Sequence, residues 1–307
     1  MSTPSTSLPS TIHDIGYRHY EGRRLGRSYV IRSLFVHNLR AAFGLGRPAR
    51  AKVMPFLLCA IMMLPAVGSV AVLAITKEPD TLIRYSGYAV FLQPIVAIFL
   101  ATQAPVIASR ELRFHVVPLY FSRPVGSTDF VLAKFGAFVA ALFILLATPV
   151  TLLYAGALAT RPSDEADAPP MPSVGDQTLD YLGGLAGSVV FALVLAGFAL
   201  VVAAFTPRRG FGVAAVIAVY LLSSATVGIV QGIALATTNF GTAAWAGLFT
   251  PFNLVDGVQV GLFGAESSTA QPPPEGIGGP VFALVCAAVV AGSLAILYAR
   301  FRKAGLA

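Results

Sequence analysis

The sequence has 307 residues, 56% of them hydrophobic and only 11% charged, and a formal net charge of +7. That balance suits a polypeptide whose main solvent is lipid. The basic excess sits beside long apolar runs, which argues against a nucleic-acid partner. The only two cysteines, Cys59 and Cys286, fall inside those runs, which excludes a disulfide framework and a CxxC metal site.

Up to Ser10 the residues are mostly Ser, Thr and Pro, the composition of a disordered tail. Aromatics, glycines and arginines then interleave from Ile12 to Arg27, and residues 1–28 are expected to form a cytoplasmic N-terminal segment. From Tyr29 the pattern changes. Ile31, Leu34, Phe35, Leu39, Ala42 and Phe43 recur at i, i+3, i+4 spacing, opposite Arg32, Ser33, His37 and Arg40. Val36 interrupts the polar face, and Gly44, Gly46 and Pro48 end the segment. The pattern predicts an interfacial amphipathic helix within 29–47, too short to span and too charged on one side for a core helix. Arg32 and Arg40 are its expected anchors on membrane lipids, each basic residue contributing about 1 kcal/mol at an anionic surface.

Six runs follow, at roughly 53–76, 85–109, 135–160, 181–206, 211–237 and 276–299, and none contains Asp, Glu, Lys or Arg. Each exceeds the ~20 residues that cover a ~30 Å hydrocarbon core. A central charge would cost about 2.5–3.5 kcal/mol on insertion. The predicted fold is therefore all-α: a polytopic membrane protein with six transmembrane helices over 53–300 and a cytoplasmic tail at 301–307. The flanking charges alternate. Residues before the first run and after the second, fourth and sixth hold eighteen basic and four acidic side chains; the other gaps hold three and ten. Basic flanks stay in the cytoplasm, so both termini are expected inside a bacterial plasma membrane.

Prolines at 65, 94, 105 and 149 predict kinked spans with freed carbonyls. Gln93 and Gln103, in the second run, either line a transport pathway or hydrogen-bond a neighbouring helix. Gly183 and Gly187 have the spacing of a close helix contact. The stretch 161–180 reads as an exposed outer loop, rich in proline and acid. Residues 241–255 are apolar but too short to cross, and Pro251 and Asn253 interrupt them, which predicts a re-entrant or interfacial hairpin between spans five and six.

No G-x-x-x-x-G-K-[ST], H-E-x-x-H or G-x-S-x-G occurs, and the runs hold no acid, base or metal group at membrane depth. No catalytic residue, metal site or cofactor is expected in this chain, and it is not expected to be an enzyme. An ion-coupled carrier is disfavoured for the same reason, though one that binds Na⁺ through carbonyls remains open. The informative stretch lies after the second run. It opens on Arg110-Glu111-Leu112-Arg113, carries Leu119, Tyr120 and Phe121 at its middle, and turns at Ser122-Arg123-Pro124 before Asp129 and Lys134. A short cytoplasmic helix joined rigidly to two spans can carry motion from another protein into the membrane.

The stretch SRELRFHVVPLYFSRPVGSTDFVLAKF resembles the segment between the second and third spans of ABC type-2 transporter permeases. Glu111, Arg113, Leu119, Ser122, Arg123, Pro124, Phe130 and Lys134 stand at the matching places. That family often has Gly-Thr where this chain has Phe114-His115-Val116. The resemblance implies a permease subunit of an ATP-binding-cassette exporter. A coupling helix would dock into a separate ATPase subunit, which would hold ATP and Mg, and a second permease copy, identical or paralogous, would complete the pathway. Glu111, Arg113, Leu119, Tyr120, Ser122 and Arg123 are then the expected ATPase contacts. Two rivals stay open: an ATP-independent carrier or channel, and a membrane scaffold recruiting a cytoplasmic partner.

Overall fold

The structure, a computed structural model, describes residues 22, 26–76, 81–121, 125–161, 172–206, 208–269 and 271–306. Among them every regular element is helical. In chain order these are α1 (Arg27–Ala42), α2 (Arg50–Thr76), α3 (Tyr88–Phe91), α4 (Gln93–Arg113), α5 (Val117–Phe121) and α6 (Ser127–Ala159). Then come α7 (Val174–Phe205), α8 (Arg209–Ala236), α9 (Phe240–Ala246), α10 (Pro251–Phe263) and α11 (Gly278–Gly305). Six of them, α2, α4, α6, α7, α8 and α11, are long and apolar enough to cross a membrane, as the charge-free runs predict.

Helices are the natural product of such runs, because backbone amides and carbonyls in lipid must pair within the segment. The helices nevertheless outgrow the runs. At 33 residues α6 is about 50 Å long, well beyond a ~30 Å core, and its first turns carry Asp129 and Lys134. The second run, by contrast, is not one helix. A single turn, α3, precedes α4, whose Pro94 sits in the first turn where a missing amide costs nothing. In α2, Pro65 removes the amide that would bond the Ile61 carbonyl. One residue along, the Met62 carbonyl accepts the Tyr88 hydroxyl at 2.5 Å.

The helices α4, α6 and α7 form the centre, with α2, α8 and α11 outside them. The contrast is large: 78% of an 18-residue apolar stretch of α4 is buried, against 11% of the corresponding stretch of α8. Ala101, Ala104 and Ala108 of α4 and Ala192, Ala196, Ala199 and Ala203 of α7 are essentially inaccessible. Such small faces let helices approach where no hydrophobic effect drives them together. The Ser109 hydroxyl then donates to the Ala203 carbonyl at 2.6 Å. Phe99 of α4 stacks on Phe138 of α6, and Phe43 meets Phe99 with the two rings tilted.

The amphipathic helix spans 27–42, ending short of residue 47. Gly44, at φ +68°, turns the backbone where a Cβ would overlap the Ala51 carbonyl. Its apolar side packs on protein: Leu34 and Leu39 join the core, and Phe35 lies over Gly136 of α6. The predicted glycine contact is shifted by one position. Gly187 receives the Gln259 side chain, but Gly184, and not Gly183, lies against Tyr85. The apolar stretch after α8 forms two short helices, α9 and α10, joined by a single 3₁₀ turn at Gly247–Phe249. Asn239 caps α9, and Thr250 caps α10 ahead of Pro251.

Candidate functional site

The charged ends of α4 and α6 meet around one buried ion pair. The Lys134 ammonium lies 2.9 Å from a Glu111 carboxylate oxygen, with side-chain exposures of 4% and 13%. The same ammonium donates to the Ile107 carbonyl at 2.6 Å. Phe130 and Phe301 present ring faces to it at 4.9 and 5.9 Å, a second form of charge compensation. The other Glu111 oxygen is buried without a hydrogen-bond partner among the described residues. Desolvating both ions costs several kcal/mol each, so the pair does not imply a large net stabilisation. Losing one partner would strand the other.

The short helix α5 rests on this pair through aromatic contacts. Tyr120 and Phe121 pack on Phe130 with ring centroids 5.2 and 5.7 Å away, and Phe130 meets Phe301 of α11 at 5.4 Å. Phe121 also covers Gly305 near the end of α11. Burial pushes the Tyr120 hydroxyl above its usual range; the Glu111 charge adds to this and Arg110 opposes it. Any displacement of α5 is therefore felt by α6 and α11 together. Leu119, on the same helix, is 67% exposed, an aliphatic side chain at the surface of an otherwise anchored element.

A second pair fixes the neighbouring amphipathic helix. Arg27, the first residue of α1, makes a two-pronged contact with Asp129 in the first turn of α6, at 2.7 and 2.6 Å. The Arg27 guanidinium is well exposed while the Asp129 carboxylate is buried. Fork-to-carboxylate geometry fixes direction as well as distance.

The expected contact residues thus divide. Glu111 faces inward, Arg113 and Leu119 are exposed, and Tyr120 is half-buried on Phe130. Ser122 and Arg123 lie outside the described residues, as does most of 12–27. Arg32 and Arg40 are both exposed on α1. The two glutamines are ten positions apart, about 15 Å along a helix. Gln93 borders a cavity of about 850 Å³ together with Gln177, Asp180 and Gln259. Gln103 is buried and donates to the neighbouring Thr102 hydroxyl at 3.1 Å.

Sequence reasoning missed Lys134 as the centre of the site and missed Arg27 as the partner of Asp129. No local spacing announces either, since the partners are 23 and 102 positions apart. It also missed Asp256, buried on α10 and accepting hydrogen bonds from the Ser267 and Thr269 hydroxyls and the Ser268 amide. A scan against protein-family models and a search of curated proteins both return no match.

Proposed function

We propose that this chain is the membrane-spanning subunit of an ATP-driven exporter, similar to ABC type-2 permeases, in a bacterial plasma membrane. The observation that carries the reading is the placement of α5. A short helix links two long apolar helices, rests on the Tyr120–Phe121–Phe130–Phe301 cluster, and presents Leu119 outward. The distribution of basic flanks supports cytoplasmic termini and an α5 on the inner side. In this reading α1 is the interfacial helix, and α9 and α10 form the re-entrant pair on the outer side.

Mechanistically the chain supplies pathway walls and a mechanical linkage. A separate ATPase subunit binds ATP and Mg. Its closure pushes on α5 through Leu119 and Tyr120, with Arg113, Ser122 and Arg123 alongside. Glu111 acts behind the contact, handing the displacement through Lys134 to α6 and through the aromatic cluster to α11. A second copy of the permease would find its surface on the open helices α2 and α8, which are among the least covered in the bundle. The neutral spans suit a hydrophobic or amphipathic cargo.

Co-purification tests this. The solubilised protein from its own host is expected to bring down a P-loop ATPase, and Leu119→Arg to reduce the captured ATPase at least tenfold with an unchanged elution profile. If no such ATPase is ever recovered with the unaltered protein, the reading fails.

A further inference from the structure

The cavity of about 850 Å³ that Gln93 borders lies far from the Glu111–Lys134 pair. Gln93 and Glu111 are eighteen positions apart on α4, about 27 Å along the helix. Its walls come from the turn before α3, the start of α4, the first turns of α7, and the end of α10 with the loop after it. Arg84 and Asp180 both line it, and each is the last charged residue before a charge-free run, the second and the fourth. The walls are held in place. Gln259, buried on α10, donates to the Ser86 carbonyl at 3.2 Å, and Asp256 pins the loop through the Ser268 amide. On α7, Gln177, Asp180 and Gly184 recur at i, i+3 and i+7, so a single helix face forms one side. Tyr85 closes over Gly184, but a Cβ on Gly183 would meet no atom within 4 Å. Gly183 opens onto free space.

The groups left unmet are acceptors. Among the described residues Arg84, Asp180 and Glu266 are the charges on the lining, and Arg84 is paired with Glu266. Asp180 has no ion pair or hydrogen bond among the described residues. The Gln177 amide donates to the Tyr85 hydroxyl at 3.4 Å, and its own oxygen is buried without a partner. A small turn of that amide toward the cavity gives the oxygen a donor. A cation with N–H groups suits both acceptors, whereas an anion suits neither. The lining is also partly apolar: Leu82, Phe91 and Leu179 are 66%, 60% and 67% exposed. A bare ammonium ion would leave them uncovered.

We propose that this cavity binds an amphiphile carrying a protonated amine. The ammonium lies over Gly183, between the Asp180 carboxylate and the Gln177 amide oxygen, and the hydrocarbon part covers Leu82, Phe91 and Leu179. Its head stays level with the charges that end the apolar runs, and its body lies against the apolar lining. The site rests on the membrane-spanning reading of the six helices and goes beyond the exporter reading, since no ATPase is needed to fill it. An amine joined to a hydrocarbon can be a soluble amphiphile or the headgroup end of a lipid.

The test is isothermal titration calorimetry on the purified full chain in an uncharged detergent at neutral pH, with empty micelles subtracted. The probes are phenylbutylamine, phenylbutanol and phenylbutyrate, which share an apolar body and differ in the head. The amine is expected to bind saturably, the alcohol at least tenfold more weakly, and the carboxylate not at all. Asp180→Asn should weaken the amine about tenfold, the scale of a hydrogen bond to a charged group. Gly183→Leu fills the open space and should abolish binding with an unchanged unfolding midpoint. If that variant is instead destabilised, Asp180→Asn decides, because an exposed carboxylate without a partner does not hold the fold together. Asp176→Asn is the control, since Asp176 is exposed on the same helix but outside the cavity. Displacement of the amine by phosphatidylethanolamine and not by phosphatidylcholine would identify the source as a lipid headgroup; retention against both would identify a soluble amphiphile. Equal affinity for amine and alcohol would overturn the ammonium assignment. Equal losses from Asp176→Asn and Asp180→Asn would mean diffuse attraction and overturn the site, as would full binding by Gly183→Leu. Recovery of an ATPase plays no part in the measurement, so failure here and failure of the exporter reading are separate results.

Discussion

Among the described residues three carboxylates are withdrawn from solvent: Asp129 takes the exposed Arg27, while Glu111 and Asp256 are compensated in opposite ways. Glu111 has a full cation from another helix, Lys134 at 2.9 Å, backed by the rings of Phe130 and Phe301. Asp256 has only hydroxyls and one amide, from Ser267, Ser268 and Thr269, eleven to thirteen positions further along its own chain. The first arrangement ties α4, α6 and α11 into one unit. The second pins a loop to the helix before it. A long-range charge pair resists independent movement of the helices it joins, whereas a local cap leaves the rest of the bundle free. The exposed Arg84–Glu266 pair near Asp256 does not alter the contrast, since solvent-exposed pairs contribute little.

The sharpest way to break this comparison is Lys134→Met. It strands a buried Glu111, and removing one member of a buried pair typically costs about 3–5 kcal/mol. We expect the largest loss here, read as a fall in the unfolding midpoint in detergent micelles. The double variant Glu111→Gln with Lys134→Met should recover most of it, because two neutral groups no longer carry a desolvation cost. If the two single losses simply add, the pair is not coupled and α4 and α6 are held by packing alone.

The α10–α11 contact should respond to volume instead. Gly261 of α10 and Gly279 of α11 bring their backbones together so closely that a Cβ on either would overlap the other's main chain. Backbone cannot rotate away as a side chain can, so Gly261→Val should cost about 1–3 kcal/mol by overpacking. The same measurement applies. An unchanged midpoint would show that the α10–α11 contact is not a fixed element of the fold, and this part of the bundle would then lack the packing that substitutes for charge.

These differences mark what the sequence can and cannot display. Six helices were legible because a charge at membrane depth is so costly that its absence over twenty-odd residues is itself a signal. Their ends were not. Hydropathy stops at Ser109 and resumes at Phe135, but hydrogen bonding carries α4 on to Arg113 and starts α6 at Ser127. The pattern of α1 was legible as amphipathic, yet the same spacing serves a lipid surface or a protein one, and here Leu34, Phe35 and Leu39 meet protein. Glu111 was singled out as a charged residue between two spans. Which way it faces depends on Lys134, 23 positions away, and nothing in its own neighbourhood carries that information.

The smallest expected effect, and the most specific, comes from Asp256→Asn. The change keeps an acceptor oxygen for the Ser268 amide and the two hydroxyls, so at neutral pH it should alter stability by no more than about 1 kcal/mol, the scale of a neutral hydrogen bond. Its signature is in the pH dependence. Asp256 lies outside the six long helices, and burial pushes its carboxyl above the usual 3.8, with the Ser268 amide and the neighbouring hydroxyls opposing the shift. A carboxyl raised on folding stabilises the protein most below its unfolded value, and that contribution is lost as the pH rises through the folded one. The unaltered protein should therefore gain on the Asn variant as the pH falls from neutrality toward 3.8, the opposite of what a salt-bridged acid would give. Unfolding midpoints of the two proteins measured across that window should converge or cross. Curves that stay parallel would mean the hydroxyls and amide compensate the charge fully, and the distinction drawn between the two carboxylates would disappear.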